Sequence, residues 1–117
     1  MLEQTREIVA RLQSVGFARR EFRVRTEFDR RRGCYLDPMI VIWDMDKAIR
    51  LSDRLVAHGF RVIHYVRDGA VRRMSVYPYC HSGDCPIEVV DFSSEVCPQC
   101  GQEVEHWKMT HHIAVFH

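Results

Sequence analysis

Apolar residues recur at helical spacing over the first fifteen positions. Leu2, Ile8, Val9, Leu12 and Val15 line one side of a helix over 2–15. Gly16 follows, well placed as a left-handed C-cap. "EFRVRTEF" at 21–28 then alternates: Phe22, Val24, Thr26 and Phe28 share one face and charges share the other, as in a half-buried strand. "RRRGCYLDP" at 30–38 reads as a turn or loop. "MIVIW" at 39–43 is continuously apolar, the mark of an interior strand. Asp44 is a candidate N-cap for a second helix striped by Ala48, Ile49, Ser52, Leu55 and Val56 and ended by Gly59. "FRVIHYV" and "VRRMSVYP" flank Asp68-Gly69, a pair suited to a type I′ hairpin turn.

This order is α-β-β-α-β-β. It predicts an α+β fold: two α-β-β units forming an antiparallel sheet with two helices on one face. "RLQSVGF" at 11–17 echoes "RLVAHGF" at 54–60 at an offset of 43 residues. A duplication would produce this echo. So would the common grammar of a helix end, with Leu for the core, Gly to stop and Phe to re-enter, and a match this short favours the grammar.

Beyond residue 79 the pattern changes. "YCHSGDCPIEVVDFSSEVCPQCGQEVEHW", 79–107, holds four of the five cysteines, as Cys80-x4-Cys85 and Cys97-x2-Cys100. A C-x2-C turn brings two thiolates to one ion about 2.3 Å from each sulfur. Pro98 limits that turn's freedom and Gly101 permits a left-handed backbone after it. "IEVVDF" and "QEVEHW" read as extended segments on either side. The segment resembles a zinc ribbon, most specifically in "CPQCG" at 97–101. The expected site is Cys80, Cys85, Cys97 and Cys100 around one structural Zn2+ per chain, with His81 an alternative ligand beside Cys80. A full four-sulfur shell leaves no position for a catalytic water. The rival readings are a redox-active Cys97-x2-Cys100 pair and two structural disulfides that leave Cys34 alone. Cys34 itself reads as a buried or free thiol.

Charge divides the chain at the same place. Residues 1–79 contain 16 Lys+Arg against 10 Asp+Glu, and residues 80–117 contain Lys108 against six acids. The first piece is thus +6 and the second −5, which leaves the whole at +1. Two pieces follow: a basic α+β lobe, 1–78, and an acidic zinc-ribbon-like lobe, 79–117. Arginine supplies 15 of the 17 basic residues. It suits bidentate phosphate or carboxylate contacts better than Lys, although GC-rich coding bias gives the same excess. Seven arginines fall in 19–32, and Arg23, Arg25, Arg30, Arg31 and Arg32 are the candidate contacts to a partner or nucleic acid, with Arg72 and Arg73 as an extension. No apolar run approaches the roughly 20 residues that cross a bilayer, and "MLEQTREIVARLQ" lacks the apolar core of a secretory signal. The expectation is a soluble, intracellular (cytoplasmic) protein with reduced thiols.

Two further stretches carry chemistry-bearing residues. "LVAHGFRVIHYVRDGAVRRMSVYP" is similar to the start of the HicA-type toxin ribonucleases, which have a double-stranded-RNA-binding-like fold. That family sets its catalytic His beside a Gly-Ser turn, whereas the turn here is "RDGAV". His64 stands four residues before Asp68, on a strand, and reads as a satisfied sheet histidine. "HWKMTHHIAVFH" contains His106, His111, His112 and His117, with "HIAVF" taken as a final strand. Strand alternation would point His111 and His112 apart. No phosphate loop, nucleophile elbow or paired-carboxylate motif occurs. The function expected is that of a non-enzymatic, regulatory zinc-binding interaction protein with a protein partner, self-association being compatible with the charge division. The alternatives are nucleic-acid binding through the Arg-rich 19–32 segment, and a small RNase-like or metal-dependent enzyme.

Overall fold

The computed structural model describes residues 3–80, 85–105 and 108–116. It is a mixed α+β structure. The first helix, α1 (Glu3–Val15), buries Ile8, Leu12 and Val15 completely. A 3-10 turn leads into β1 (Phe22–Arg25). Then come β2 (Phe28–Asp29), β3 (Cys34–Tyr35) and β4 (Met39–Ile42). Two short helices, α2 (Met45–Arg50) and α3 (Ser52–Ala57), take the place of the single helix expected over this region. Asp44 caps α2 as expected, its carboxylate accepting from the Lys47 N–H at 3.0 Å. The hairpin β5 (Arg61–Arg67) and β6 (Ala70–Tyr77) turns at Asp68 and Gly69, with φ of 53° and 76°. Both values are left-handed, as a type I′ turn requires.

The echo between 11–17 and 54–60 becomes two matching helix ends. The Phe17 N–H donates to the Leu12 carbonyl at 3.2 Å, and the Phe60 N–H donates to the Leu55 carbonyl at 3.1 Å. Gly16 and Gly59, with φ of 129° and 84°, allow each chain to reverse. Both phenylalanines then enter the core. The arginines of the echo are exchanged between the ends. Arg11 donates to the His58 carbonyl at the end of α3, through Nε at 3.1 Å and Nη2 at 2.7 Å. Arg54 reaches the Val15 carbonyl at the end of α1 at a longer 3.5 Å.

Strand pairing differs from the expected four-stranded antiparallel sheet. Among the described residues β1 pairs with β4 alone, Phe22 opposite Ile42 through Arg25 opposite Met39. β5 pairs antiparallel with β6 and parallel with β7 (Glu88–Asp91), which places a strand from the acidic segment in the same sheet. β4 lies beside β6 without ladder bonds. Ile40, Ile42, Met74 and Val76 line a small cavity there. The core gathers α1, Phe17, Phe22, Ala48, Leu55, Phe60, Val62 and Val76.

Two strand expectations change in detail. The alternating run 21–28 is not one strand. It breaks after Arg25, and β2 pairs instead with β3 in a small hairpin. The turn is fixed by Asp29, whose carboxylate accepts from the Arg31 N–H at 2.9 Å. Phe28 is therefore 54% exposed, edge-on to Tyr35, and not in the core. The run 39–43 is not interior either. Ile40 and Ile42 pack inward, while Met39, Val41 and Trp43 face outward at 59%, 37% and 61% exposure. An all-apolar strand does not reveal in sequence that one of its faces is open, because only alternation does so.

Beyond β7, β8 (Ser94–Val96) and β9 (Glu103–Glu105) form an antiparallel hairpin. The last described element is α4 (Met109–Phe116). The expected final strand "HIAVF" is thus helical. A short apolar run carries no period that separates strand from helix.

These placements predict unequal costs for two phenylalanines. Phe60→Ala empties a fully buried site and should cost about 3–5 kcal/mol. Phe28→Ala removes a mostly exposed ring and should cost under about 1 kcal/mol. Urea unfolding of both variants checks this, and equal costs would return Phe28 to the core.

Candidate metal centre

The tip of the β8–β9 hairpin is the Cys97-Pro98-Gln99-Cys100 turn. The Cys97 N–H donates to the Gln102 carbonyl at 2.8 Å, and the Gly101 N–H donates to the Cys97 carbonyl at 2.9 Å. Gly101 has φ of 73°, the left-handed geometry anticipated for it. The turn holds the two thiols on one side, and α4 brings His112 to meet them. The donor atoms of Cys97, Cys100 and His112 all lie within 4.8 Å of one another. Cys100 Sγ is 3.3 Å from His112 Nε2. Ligand bonds of about 2.3 Å to sulfur and 2.0–2.1 Å to nitrogen give a tetrahedral edge of about 3.5 Å, so this separation suits one shared ion.

The surroundings favour metal binding in a second way. Cys97 and His112 are buried at 1% and 6% exposure, whereas Cys100 is exposed. Burial pushes the Cys97 thiol up, but the Gln99 and Cys100 backbone N–H groups and the Cys100 side chain outweigh it and hold the thiol below its ordinary value. A thiolate is the form that binds metal. Two sulfurs and an imidazole are a donor set that suits Zn2+ among the common divalent ions.

Of the residues singled out in sequence, Cys97 and Cys100 are thus brought together. Cys80 and Cys85 are joined to each other as a disulfide, with Cα atoms 6.0 Å apart. Sulfurs bonded in this way carry no thiolate, so a four-cysteine set requires that bond to be reduced. His81, His106 and His117 lie outside the described residues. Cys34 is an exposed free thiol on β3. The sequence reading left His112 out of the ligand set, because it took the segment for a strand. The signal that could have found it is the pairing of a C-x2-C turn with a histidine 12 residues after Cys100.

The arginines fall on separate surfaces. Arg23 and Arg25 occupy the outer face of β1, opposite Val41 and Met39 of β4. Arg30, Arg31 and Arg32 are exposed in the β2–β3 turn, where Arg32 approaches Asp29 at 3.6 Å. Arg72 and Arg73 belong to the other sheet, on β6. Arg73 stacks 4.4 Å over the Tyr65 ring and borders a cleft of about 350 Å³ with Val90, Phe92 and Glu105.

His64 is a satisfied core-facing histidine. Its Nε2 lies 2.8 Å from Ser52 Oγ, and that hydroxyl donates to the Ala48 carbonyl at 3.2 Å. Ser52 is 3% exposed, so this serine–histidine contact offers no nucleophile to a substrate.

No protein-family model, curated protein or solved structure matches this chain. No described helix is long and apolar enough to cross a membrane.

Burial lowers the His64 pKa against a smaller opposing effect of Asp53. The folded state therefore favours the neutral ring. Stability from this group is present above the unfolded value of about 6.5 and is lost as pH falls from there through the lowered folded value. An NMR titration should show the His64 ring protonating below about 6.5; a value at or above that would contradict its burial.

Proposed function

We propose that this chain is a non-enzymatic interaction protein in which a structural Zn2+ holds the C-terminal hairpin to its helix. The observation that carries the reading is the convergence of Cys97, Cys100 and His112. An ion bound there joins the hairpin turn to the helix that follows it and supplies folding free energy directly.

The partner is a protein, and the surface that meets it is the outer face of β1 and β4. Met39 and Val41 on β4 and Trp43 just after it are exposed, with Arg23 and Arg25 across the ladder from Val41 and Met39. Aromatic, Met and Arg side chains are the residue types enriched where proteins meet. The two arginines select an acidic partner surface through complementary charge. Nucleic acid is the second reading. It is favoured by Arg30, Arg31 and Arg32 in the turn next to the exposed Phe28–Tyr35 ring pair.

Native mass spectrometry of protein purified without chelator tests the metal reading, and one Zn2+ per chain is expected. Removing it with a strong chelator should release amide protection in β8, β9 and α4 while sparing α1, β5 and β6. A chain that retains full protection without metal would remove the structural role.

A low-salt oligonucleotide titration separates the two partner readings. The protein reading predicts no tight binding. The nucleic-acid reading predicts affinity that falls steeply with salt and drops further in Arg30→Glu/Arg31→Glu/Arg32→Glu.

A further inference from the structure

The outer face of the β5–β6–β7 sheet carries chemistry that neither the core nor the metal centre uses. Strand alternation turns Tyr65 away from the core-facing His64. Tyr65 stands opposite Arg73 of β6 on one side and Val90 of β7 on the other. Phe92 follows Val90 two residues on, and its N–H donates to the Val66 carbonyl at 2.9 Å. Tyr65, Arg73, Val90 and Phe92 line the cleft of about 350 Å³, and Glu105 of β9 completes its wall. Cavities that hold small molecules begin at about 300 Å³ and are mostly apolar, with a few placed polar groups.

Two arginines are fixed at this cleft by aromatic rings rather than by acids. Arg73 lies 4.4 Å over the Tyr65 ring, and Arg67 lies 4.7 Å over the Phe92 ring. Stacking uses the flat face of a guanidinium and leaves its in-plane N–H groups to donate. Among the described residues neither arginine has a carboxylate or carbonyl partner. Arg61, earlier on β5, shows the contrast: it lies 5.3 Å from the Tyr77 ring and is neutralised by Glu88 at 2.6 Å. Glu105 is engaged by Lys108 at 3.9 Å. The cleft therefore joins an apolar floor to positive charge that no described acid balances.

We infer that this cleft binds a small planar aromatic acid. The ring of the ligand lies against Val90, Phe92 and Tyr65, and its carboxylate or phosphate accepts paired N–H bonds from Arg73, with Arg67 adding charge. The guanidinium fork matches both oxyanions, and burial of the ring favours the apolar floor. A neutral ring would strip water from the Arg73 donors without replacing it. An anion with no ring would gain nothing from the floor. The cleft shares no residue with the β1–β4 face or with the Cys97, Cys100 and His112 cluster, so this site goes beyond the binding role proposed above and does not depend on it.

Amide NMR shifts of the full chain, titrated with naphthoate, naphthyl phosphate and naphthalenemethanol, test this. The anions should saturate a single site and move the Tyr65, Arg73, Val90 and Phe92 signals, and the tighter of the two names the oxyanion that the site takes. The neutral alcohol should bind at least about 10-fold more weakly. Arg73→Gln should weaken the binding of the preferred anion by about 10–100-fold. Arg6→Gln, which removes the same charge from the exposed side of α1, should leave it unchanged. Val90→Phe fills the cleft and should abolish binding while amide protection in β5 and β6 persists. Binding of neither anion, shifts confined to other residues, equal binding of the alcohol, or unchanged affinity in Arg73→Gln would each overturn the inference.

Discussion

The Arg11 guanidinium fastens three parts of the chain at once. It donates to the His58 carbonyl at the end of α3 and, at 2.9 Å, to the Pro78 carbonyl just after β6. It also lies 4.1 Å over the Phe60 ring. The bonds to His58 engage the carbonyl at the end of α3, with a charge of the sign the helix dipole favours. They also set the direction in which the chain leaves α3 to become β5. β5 is the central strand of its sheet, and β7 is registered on it from Ile63 opposite Glu88 to Val66 opposite Asp91. Arg61 adds a bond to Glu88 at 2.6 Å across that junction. The hairpin that carries Cys97 and Cys100 begins three residues after β7.

The two ends of the molecule are consequently held by different physics. From α1 to β6 a contiguous apolar core excludes water, and stability there follows buried area. Beyond β7 the buried side chains among the described residues are Cys97 and His112, which together with Cys100 could hold a metal ion. Under the proposed metal reading, the stability of this unit would respond to chelation and to ligand protonation rather than to the size of core side chains. The parallel β5–β7 ladder joins the two regimes.

The metal centre and the exposed β1–β4 face were readable to different degrees. "CPQCG" announced its turn, because the tight geometry needs a glycine at a position of positive φ, and Gly101 supplies it. His112 was not readable in the same way. "HIAVF" is too short to declare its period, and only the helix turns His112 toward the thiols. Cys80 and Cys85 carry a spacing that serves a disulfide as well as a metal site, and spacing does not separate the two. The outward face of β4 was hidden for the opposite reason. Five consecutive apolar residues conceal the alternation of a half-exposed strand.

By itself the sequence determined the local events: the helix stripe of α1, the Asp44 cap, the two Leu-Gly-Phe helix ends, the Asp68-Gly69 turn and the Cys97–Cys100 turn. Each depends on contacts within about five residues, so side-chain chemistry and backbone sterics decide it. The tertiary structure alone decided the rest: β7 parallel to β5, β1 with β4, Phe28 outside the core, and His112 beside Cys100. These are choices of partner across long stretches of chain. They are set by the packing of whole elements, since many strands and helices offer equivalent local chemistry and only one arrangement buries them together.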